Sequence, residues 1–214
     1  VGKDGYLLFL TADHGGTHNP NTMKAHKLPG GYTDVKAEID TVNVALSKQF
    51  GVEGKYICNE ICNSLYIDRN FLAQNNLCFD KVKAAAINEF KKKSETFPFV
   101  IDNENAAIAP VPQWIRERVV NGYYRGRTGD ITLMVRPDYF SFKVKSDYFG
   151  AQHGAWPHAD THIPLVFMGW HIKPGKTHKL TYMVDTAPTV CALLNIEAPS
   201  ASIGNPIVEV VDQK

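Results

Sequence analysis

Two stretches of consecutive apolar residues predict the central strands of the chain. Residues 6–11 have the sequence Tyr-Leu-Leu-Phe-Leu-Thr, and residues 162–169 have the sequence His-Ile-Pro-Leu-Val-Phe-Met-Gly. Runs of this kind, without polar alternation, are typical of strands that are covered on both faces. Asp13 and His14 follow the first run and Asp160 precedes the second. Polar residues at the end of a buried strand indicate a functional site.

The segment between these strands has helix and strand patterns of its own. A helix is predicted from Asp34, a suitable N-cap, to Gly51, because apolar residues recur there at helical spacing. Residues 17–32 are rich in Gly, Pro, His and Asn and predict a long functional loop. Residues 130–136 alternate and predict a half-buried strand. The other predicted elements are helices at 79–93, 112–120 and 182–194 and strands at 55–58, 64–67, 97–101 and, at a sheet edge, 206–211.

This order of elements predicts a main α/β domain interrupted by a small α+β insert. Residues 1–33 are expected to form the first strand and loop of the main domain, and residues 34–128 the insert. Residues 129–214 are expected to return to the main domain with a second polar loop and a terminal helix.

Composition and charge exclude several classes of protein. The chain has 214 residues, of which 44% are hydrophobic and 21% charged, enough to bury a globular core. Lys plus Arg number 23 against 22 for Asp plus Glu, so no bulk charge favours nucleic acid or an anionic membrane as a partner. No apolar run reaches the roughly 18 residues of a membrane span. The chain begins at Val1, directly before a strand, which indicates an expression or proteolysis boundary.

The cysteines leave the redox compartment undecided. Cys58, Cys62, Cys78 and Cys191 form no CxxC pair, which argues against a zinc knuckle. Cys191 lies in an apolar helical stretch and is expected to be a buried free thiol. A disulfide between Cys58 and either Cys62 or Cys78 stays open at this point.

Asp13 and His14 carry the first candidate chemistry. A carboxylate and an imidazole are both ligands of first-row metals, and the glycines that follow leave room for an ion to approach. The alternative is a simple Asp-turn with a solvated histidine, and the dipeptide alone does not separate the two.

His153, Asp160 and His162 form a second element of the same composition. Gly154 follows His153, His153 and Asp160 precede the second apolar run, and His162 is the first residue of that run. This pattern favours a histidine ligand delivered by a loop, with a carboxylate that orients an imidazole. A single histidine in such a loop is more often a hydrogen-bonding residue than a ligand, but two similar elements favour a metal site.

Together these motifs resemble the alkaline phosphatase superfamily, in particular its phosphate-irrepressible phosphatases and nucleotide pyrophosphatase/phosphodiesterases. The resemblance rests on Phe-Leu-Thr-Ala-Asp-His-Gly ending at Gly15, on His-Gly-Ala-Trp beginning at His153, and on Asp-Thr-His-Ile-Pro-Leu-Val-Phe-Met-Gly-Trp ending at Trp170. Asp-Thr-Ala-Pro-Thr-Val-Cys-Ala-Leu-Leu-Asn-Ile, residues 185–196, matches the helix that follows. The resemblance covers nearly the whole chain. It implies an alkaline phosphatase-like α/β sandwich with two zinc ions at the ends of its strands.

The resemblance also implies roles for particular residues. Asp13 and His14 match ligands of one zinc, and His153 matches a ligand of the other. His162 is expected near the metals without binding them, and Asp160 is expected to orient a histidine. The nucleophile, a further Asp ligand and the remaining ligands of the second zinc are expected upstream of Val1, which makes the chain a carboxyl-terminal fragment.

Family chemistry then implies hydrolysis of phosphate monoesters through a phospho-enzyme at a two-metal site. The isolated chain is expected to bind zinc weakly and to be inactive, because a catalytic zinc needs three protein ligands. By the same resemblance the full-length protein is expected in the periplasm or otherwise exported. The alternatives are a phosphodiesterase of the same superfamily and a non-catalytic domain of this fold. The chain leaves the oligomeric state open.

Two segments interleave aromatic residues with arginines, residues 113–118 and 123–127. Such segments bind single-stranded nucleic acid in some proteins. Here they are predicted to be a solvated helix end with core aromatics, so no nucleic-acid partner is expected.

Overall fold

The computed structural model describes residues 2, 5–143, 145, 147–154 and 156–212. The chain divides into two compact units. The first unit comprises residues 1–13 and 163–214, and the second comprises residues 14–162. The domain boundaries expected after residues 33 and 128 stay a prediction.

The strands and helices alternate along the described residues. The strands are β1 (Leu7–Thr11), β2 (Gly31–Tyr32), β3 (Ile57–Ile61), β4 (Ser64–Ile67), β5 (Phe99–Asp102), β6 (Ile131–Met134), β7 (Tyr139–Phe140) and β8 (Leu165–Gly169). The helices are α1 (Pro20–Ala25), α2 (Val35–Phe50), α3 (Arg69–Gln74), α4 (Phe79–Lys91), α5 (Gln113–Gly122), α6 (His158–Thr161), α7 (Thr186–Leu194) and α8 (Val208–Val211), and short 3₁₀ turns lie at Ala106–Ile108 and Met183–Asp185.

A four-stranded antiparallel sheet in the order β3-β4-β6-β5 is the centre of the second unit. Ile131 and Leu133 of β6 join a core with residues of α2 and α4, while Met134 joins a second core with residues of α5. The sheet is therefore covered by helices on both faces. All four residues of β6 are buried, so the predicted half-buried strand is wrong. Its alternating pattern reflects two cores rather than a core and solvent.

Helix α2 forms as its terminal residues predict. The Asp34 carboxylate accepts a hydrogen bond from the Ala37 N–H, and Gly51 ends the helix in the left-handed region at φ 70°. Val42 and Leu46 face the core with exposed fractions of 1% and 0%. The helix is stabilised at both ends by capping and along one face by burial.

Buried polar side chains join the elements of this unit. The Asn43 side chain donates to the Ile57 carbonyl and accepts from the Ile57 N–H, which fixes α2 against β3. The buried Lys83 ammonium lies 3.0 Å from Asp102 and 3.5 Å from Glu104. Burial alone lowers the pKa of Lys83, but the hydrogen bond and charge of Asp102, with help from Glu104, outweigh it and raise the pKa above its usual value.

The loop predicted at residues 17–32 contains a helix that the sequence analysis missed. Asn19 caps α1 by accepting a hydrogen bond from the Asn21 N–H, and Pro20 occupies the first helical turn. The pair Asn-Pro is an N-cap followed by a proline at the first helical position, a signal that was present in the sequence.

In the first unit, β1 and β8 form an antiparallel two-stranded sheet in which Thr11 pairs with Leu165. Leu10 is 56% exposed and Val166 is 47% exposed, so the prediction of strands covered on both faces is wrong for these residues. The physical reason is that a strand is covered only by neighbouring elements, and within the described residues this sheet consists of these two strands.

The end of the chain is helical rather than extended. Helix α7 follows the 3₁₀ turn Met183–Asp185, in agreement with the helix predicted over residues 182–194. The edge strand predicted at residues 206–211 is wrong, because α8 lies there. The Ile207 N–H donates to Thr189 Oγ1, and Glu209 pairs with Lys179, contacts that fix this turn against α7 and the segment before it.

The cysteines, all within the described residues, are unpaired. Cys58, Cys62 and Cys78 are exposed free thiols, and Cys191 is a partly buried free thiol. Desolvation raises the pKa of the Cys58 thiol, and the charge of Asp68 adds to that rise. The disulfide left open by the sequence is therefore not formed.

Candidate metal centre

Asp13, the first candidate ligand in the sequence, belongs to the first unit. Asp13 is exposed and follows β1 after one intervening residue. The second unit begins at His14, the next residue in the chain. Asp13 and His14, which are adjacent in the sequence, therefore belong to different units.

Backbone hydrogen bonds attach the segment after His14 to a distant loop of the same unit. The Gly15 N–H donates to the Asp160 carbonyl at 2.7 Å, and the Gly16 N–H donates to the Ala159 carbonyl at 2.9 Å. The Thr17 N–H donates to the Gln152 carbonyl at 2.7 Å, in an antiparallel bridge. These bonds connect the two motifs that the sequence singles out.

The close approach of these backbones requires a glycine at residue 15. A Cβ atom on Gly15 would lie 2.0 Å from the Ala159 carbonyl oxygen, far inside contact distance. At Gly16 the nearest atoms to such a Cβ, in Ala151 and Gln152, are 3.8 Å away. The first glycine of the motif is thus a packing requirement, and the second is not.

The imidazoles of His14 and His153 lie face to face. Their ring centroids are 3.7 Å apart and the rings are within 8° of parallel. Both residues are exposed. The Asn63 side chain donates to the Gly154 carbonyl at 3.2 Å and holds the backbone beside His153.

A hydrogen bond fixes the tautomer of His14. Its Nδ1 lies 2.8 Å from the Gly15 carbonyl oxygen, and a carbonyl oxygen only accepts, so Nδ1 carries the hydrogen. In the neutral ring Nε2 then has the lone pair. A histidine with one nitrogen bonded to a carbonyl and the other bearing a lone pair is the common form of a metal ligand.

Asp160 and Thr17 form a buried pair in the segments that carry the two histidines. Thr17 Oγ1 donates to Asp160 Oδ1 at 2.8 Å. Their exposed fractions are 2% and 3%. The orientation of a histidine by Asp160 stays a prediction, and the Thr17 contact is one that the sequence analysis missed.

The other histidines near the site have different surroundings. His162 is exposed and follows α6, with its backbone N–H bonded to the His158 carbonyl at 2.8 Å. His18 Nδ1 lies 3.1 Å from Asp138 Oδ1. The role expected of His162 near the metals stays a prediction.

Helix α5 holds the loop that carries His153 and Asp160. Arg118 donates to the Trp156 carbonyl at 3.1 Å and lies over the Trp114 ring at 5.0 Å. Trp114 is 43% exposed and Tyr124 is 68% exposed, so the prediction that these are core aromatics is wrong. Arg118 of α5 therefore anchors the backbone at Trp156.

The donor set in this chain fits part of a metal site. Within the described residues, no three His, Cys, Asp or Glu side chains are grouped so as to hold an ion. The imidazoles of His14 and His153 are parallel. The hydrogen bond between His14 Nδ1 and the Gly15 carbonyl favours the tautomer of His14 that is common in metal ligands. Within the second unit, His14 and His153 are therefore the two candidate nitrogen donors that the structure brings together.

Comparison with known proteins identifies the fold. No family model matches the chain. A protein from Myroides odoratus named calcium-transporting ATPase is 42% identical over 214 residues, and alkaline phosphatase PafA from Elizabethkingia meningoseptica is 39% identical over 213 residues. Alkaline phosphatase PhoV from Synechococcus elongatus is 37% identical over 213 residues. The crystal structure of wild-type PafA matches with a TM-score of 0.86 and 37% identity.

The chain has the α/β fold of an alkaline phosphatase, and it belongs to the alkaline phosphatase superfamily. The resemblance drawn from its motifs is confirmed. The match covers 99% of this chain and 39% of the PafA chain, so the chain spans somewhat over a third of the length of its relatives. Within the described residues, no helix is long and apolar enough to cross a membrane.

Proposed function

We propose that the full-length protein hydrolyses phosphate monoesters with bound metal ions, and that this chain supplies Asp13, His14 and His153 as ligands. The observation that carries the proposal is the parallel pairing of His14 and His153 at 3.7 Å, since it joins two motifs that lie far apart in the sequence. The names of PafA and PhoV as alkaline phosphatases favour monoesters as the substrate class.

The parallel rings fit two ions better than one. His14 and His153 face each other with nearly parallel rings, so each imidazole would offer its own ring nitrogen to an ion rather than join the other in chelating a single one. Two-metal hydrolases hold their ions about 3.5–4 Å apart, which is close to the ring separation.

When bound, zinc ions would polarise the phosphoryl group and neutralise its charge. The chain's own residues hold and orient that centre: the Gly15 carbonyl fixes the His14 tautomer, and the loop of residues 152–160 presents His153. Asn19 and Asn21 donate to the Gly150, Lys145 and Tyr148 carbonyls, and we propose that the loop they hold takes part in substrate selection. We place the nucleophile outside this chain and the protein outside the cytoplasm.

The test is a metal-dependent assay on the full-length protein. Chelation is expected to reduce turnover of p-nitrophenyl phosphate to less than about a tenth, and added zinc to restore it, because the bound ions would supply the charge neutralisation that the phosphoryl group needs. The isolated chain of residues 1–214 is expected to show no zinc-dependent turnover above a matched His153→Ala chain.

Three outcomes would contradict the proposal. Turnover that survives complete zinc removal would exclude the metal site. Preference for bis-p-nitrophenyl phosphate would assign a phosphodiesterase instead. Absence of turnover and of zinc binding in the full-length protein would assign a non-catalytic domain. ATP belongs in the substrate panel because the Myroides odoratus relative is named an ATPase.

A further inference from the structure

We propose that Thr17 and Asp160 are positioning residues whose side-chain hydrogen bond keeps His14 and His153 parallel. The inference rests on the proposed function in that the two histidines bind metal. The bond joins Thr17 Oγ1 to Asp160 Oδ1 at 2.8 Å, and Thr17 lies three residues after His14 in the chain.

This bond is part of a series of hydrogen bonds that connects the backbone after His14 to the backbone before His153. His14 is followed by Gly15, whose N–H donates to the Asp160 carbonyl. The Asp160 carboxylate accepts from the Thr17 hydroxyl, and the Thr17 N–H donates to the Gln152 carbonyl, directly before His153. A shift of either histidine backbone must therefore strain the bond between Thr17 and Asp160.

Because the bond is buried, it restricts the arrangement of Thr17 and Asp160 more strongly than a surface contact would. Thr17 is 2% exposed and Asp160 is 3% exposed, so water does not readily replace either partner. An unpaired polar group in such surroundings is costly, which favours the one arrangement in which hydroxyl and carboxylate meet. Groups that orient metal ligands in this way typically contribute about 10–100-fold in metal affinity or activity.

Thr17 offers a matched set of variants for the full-length protein. Thr17→Val removes the hydroxyl at nearly constant shape, and Thr17→Ser retains it. We expect Thr17→Val to weaken zinc binding to the metal-free protein by about 10–100-fold and to lower kcat for p-nitrophenyl phosphate, with KM changed less than about threefold. Thr17→Ser is expected to stay within about threefold of wild type in both measurements. Thr17→Ala replaces the valine variant if the latter does not fold.

A readout without metal completes the test. In the metal-free protein, Thr17→Val is expected to speed amide hydrogen exchange in peptides that cover residues 14–17 and 152–160, and Thr17→Ser is not. Wild-type zinc affinity and kcat in Thr17→Val, or equal losses in the valine and serine variants, would overturn the positioning role and leave the proposed function standing. A wild-type protein that binds zinc but hydrolyses no phosphate ester would overturn the proposed function, while the zinc affinities still decide the positioning role.

Discussion

Replacing His153 with alanine in the full-length protein is expected to lower kcat/KM for a phosphate monoester by at least about a hundredfold. The reason is that a residue which only orients a metal ligand contributes about 10–100-fold, and a ligand itself should contribute more. A catalytic zinc has about three protein ligands, so the loss of one leaves the ion weakly held. The measurement is steady-state hydrolysis of p-nitrophenyl phosphate, with zinc content determined on the same samples.

The matched control is His26→Ala. His26 is also an exposed histidine of the second unit, at the end of α1 and outside the contacts described for the site. It is expected to retain wild-type kcat/KM and zinc content. A His153→Ala protein with more than about half of wild-type activity and full zinc content would contradict the assignment of His153 as a ligand.

Gly15→Ala is expected to disrupt the site and destabilise the fold by about 1–3 kcal/mol or more, because the new methyl group would lie 2.0 Å from the Ala159 carbonyl oxygen. The backbone must move to relieve this contact, and the hydrogen bond from the Gly15 N–H to the Asp160 carbonyl is then lost. The expected result is a lower melting temperature and a large loss of kcat. Thermal unfolding of the metal-free full-length protein measures the first effect.

Gly16→Ala is the control for this substitution. Its methyl group would lie 3.8 Å from the nearest atoms, an ordinary contact distance, so stability is expected to change by less than about 0.5 kcal/mol. Equal melting temperatures for the two alanine variants would show that residues 15 and 159 are not as close as the structure places them.

Local signals predicted helices α2, α4 and α5 of the second unit, and α1, α3 and α6 were missed. Asp34 and Gly51 mark the ends of α2 because capping and left-handed backbone are properties of single residues. The same kind of signal at Asn19 and Pro20 marks α1, although the density of Gly, Pro and Asn around it favoured a loop. Such elements are accessible from sequence because their causes are local.

Burial was harder to predict because it depends on neighbours. The apolar residues of β6 are divided between two cores. The sequence of one strand does not show whether its second face meets another core or solvent. The apolar strands β1 and β8 have exposed faces at Leu10 and Val166, since within the described residues they have only each other as strand partners. The apolar sequence of these strands indicates that they need to be covered, but it does not indicate which elements cover them.

The candidate site was predictable in its residue types and not in its contacts. Asp13, His14 and His153 stand out because metal-binding residue types follow or precede apolar runs beside glycines. Nothing near Thr17 in the sequence indicates Asp160 as its partner, because that contact depends on how the two loops pair. The parallel arrangement of the two imidazoles is likewise a result of tertiary structure.

The most direct test of the account is zinc-edge anomalous diffraction from crystals of the full-length protein. We predict two anomalous peaks about 3.5–4 Å apart, one within bonding distance of His14 and the other of His153, at about 2.0–2.1 Å from an imidazole nitrogen. A single ion bound by both imidazoles, or zinc bound at a place that neither histidine reaches, would contradict it.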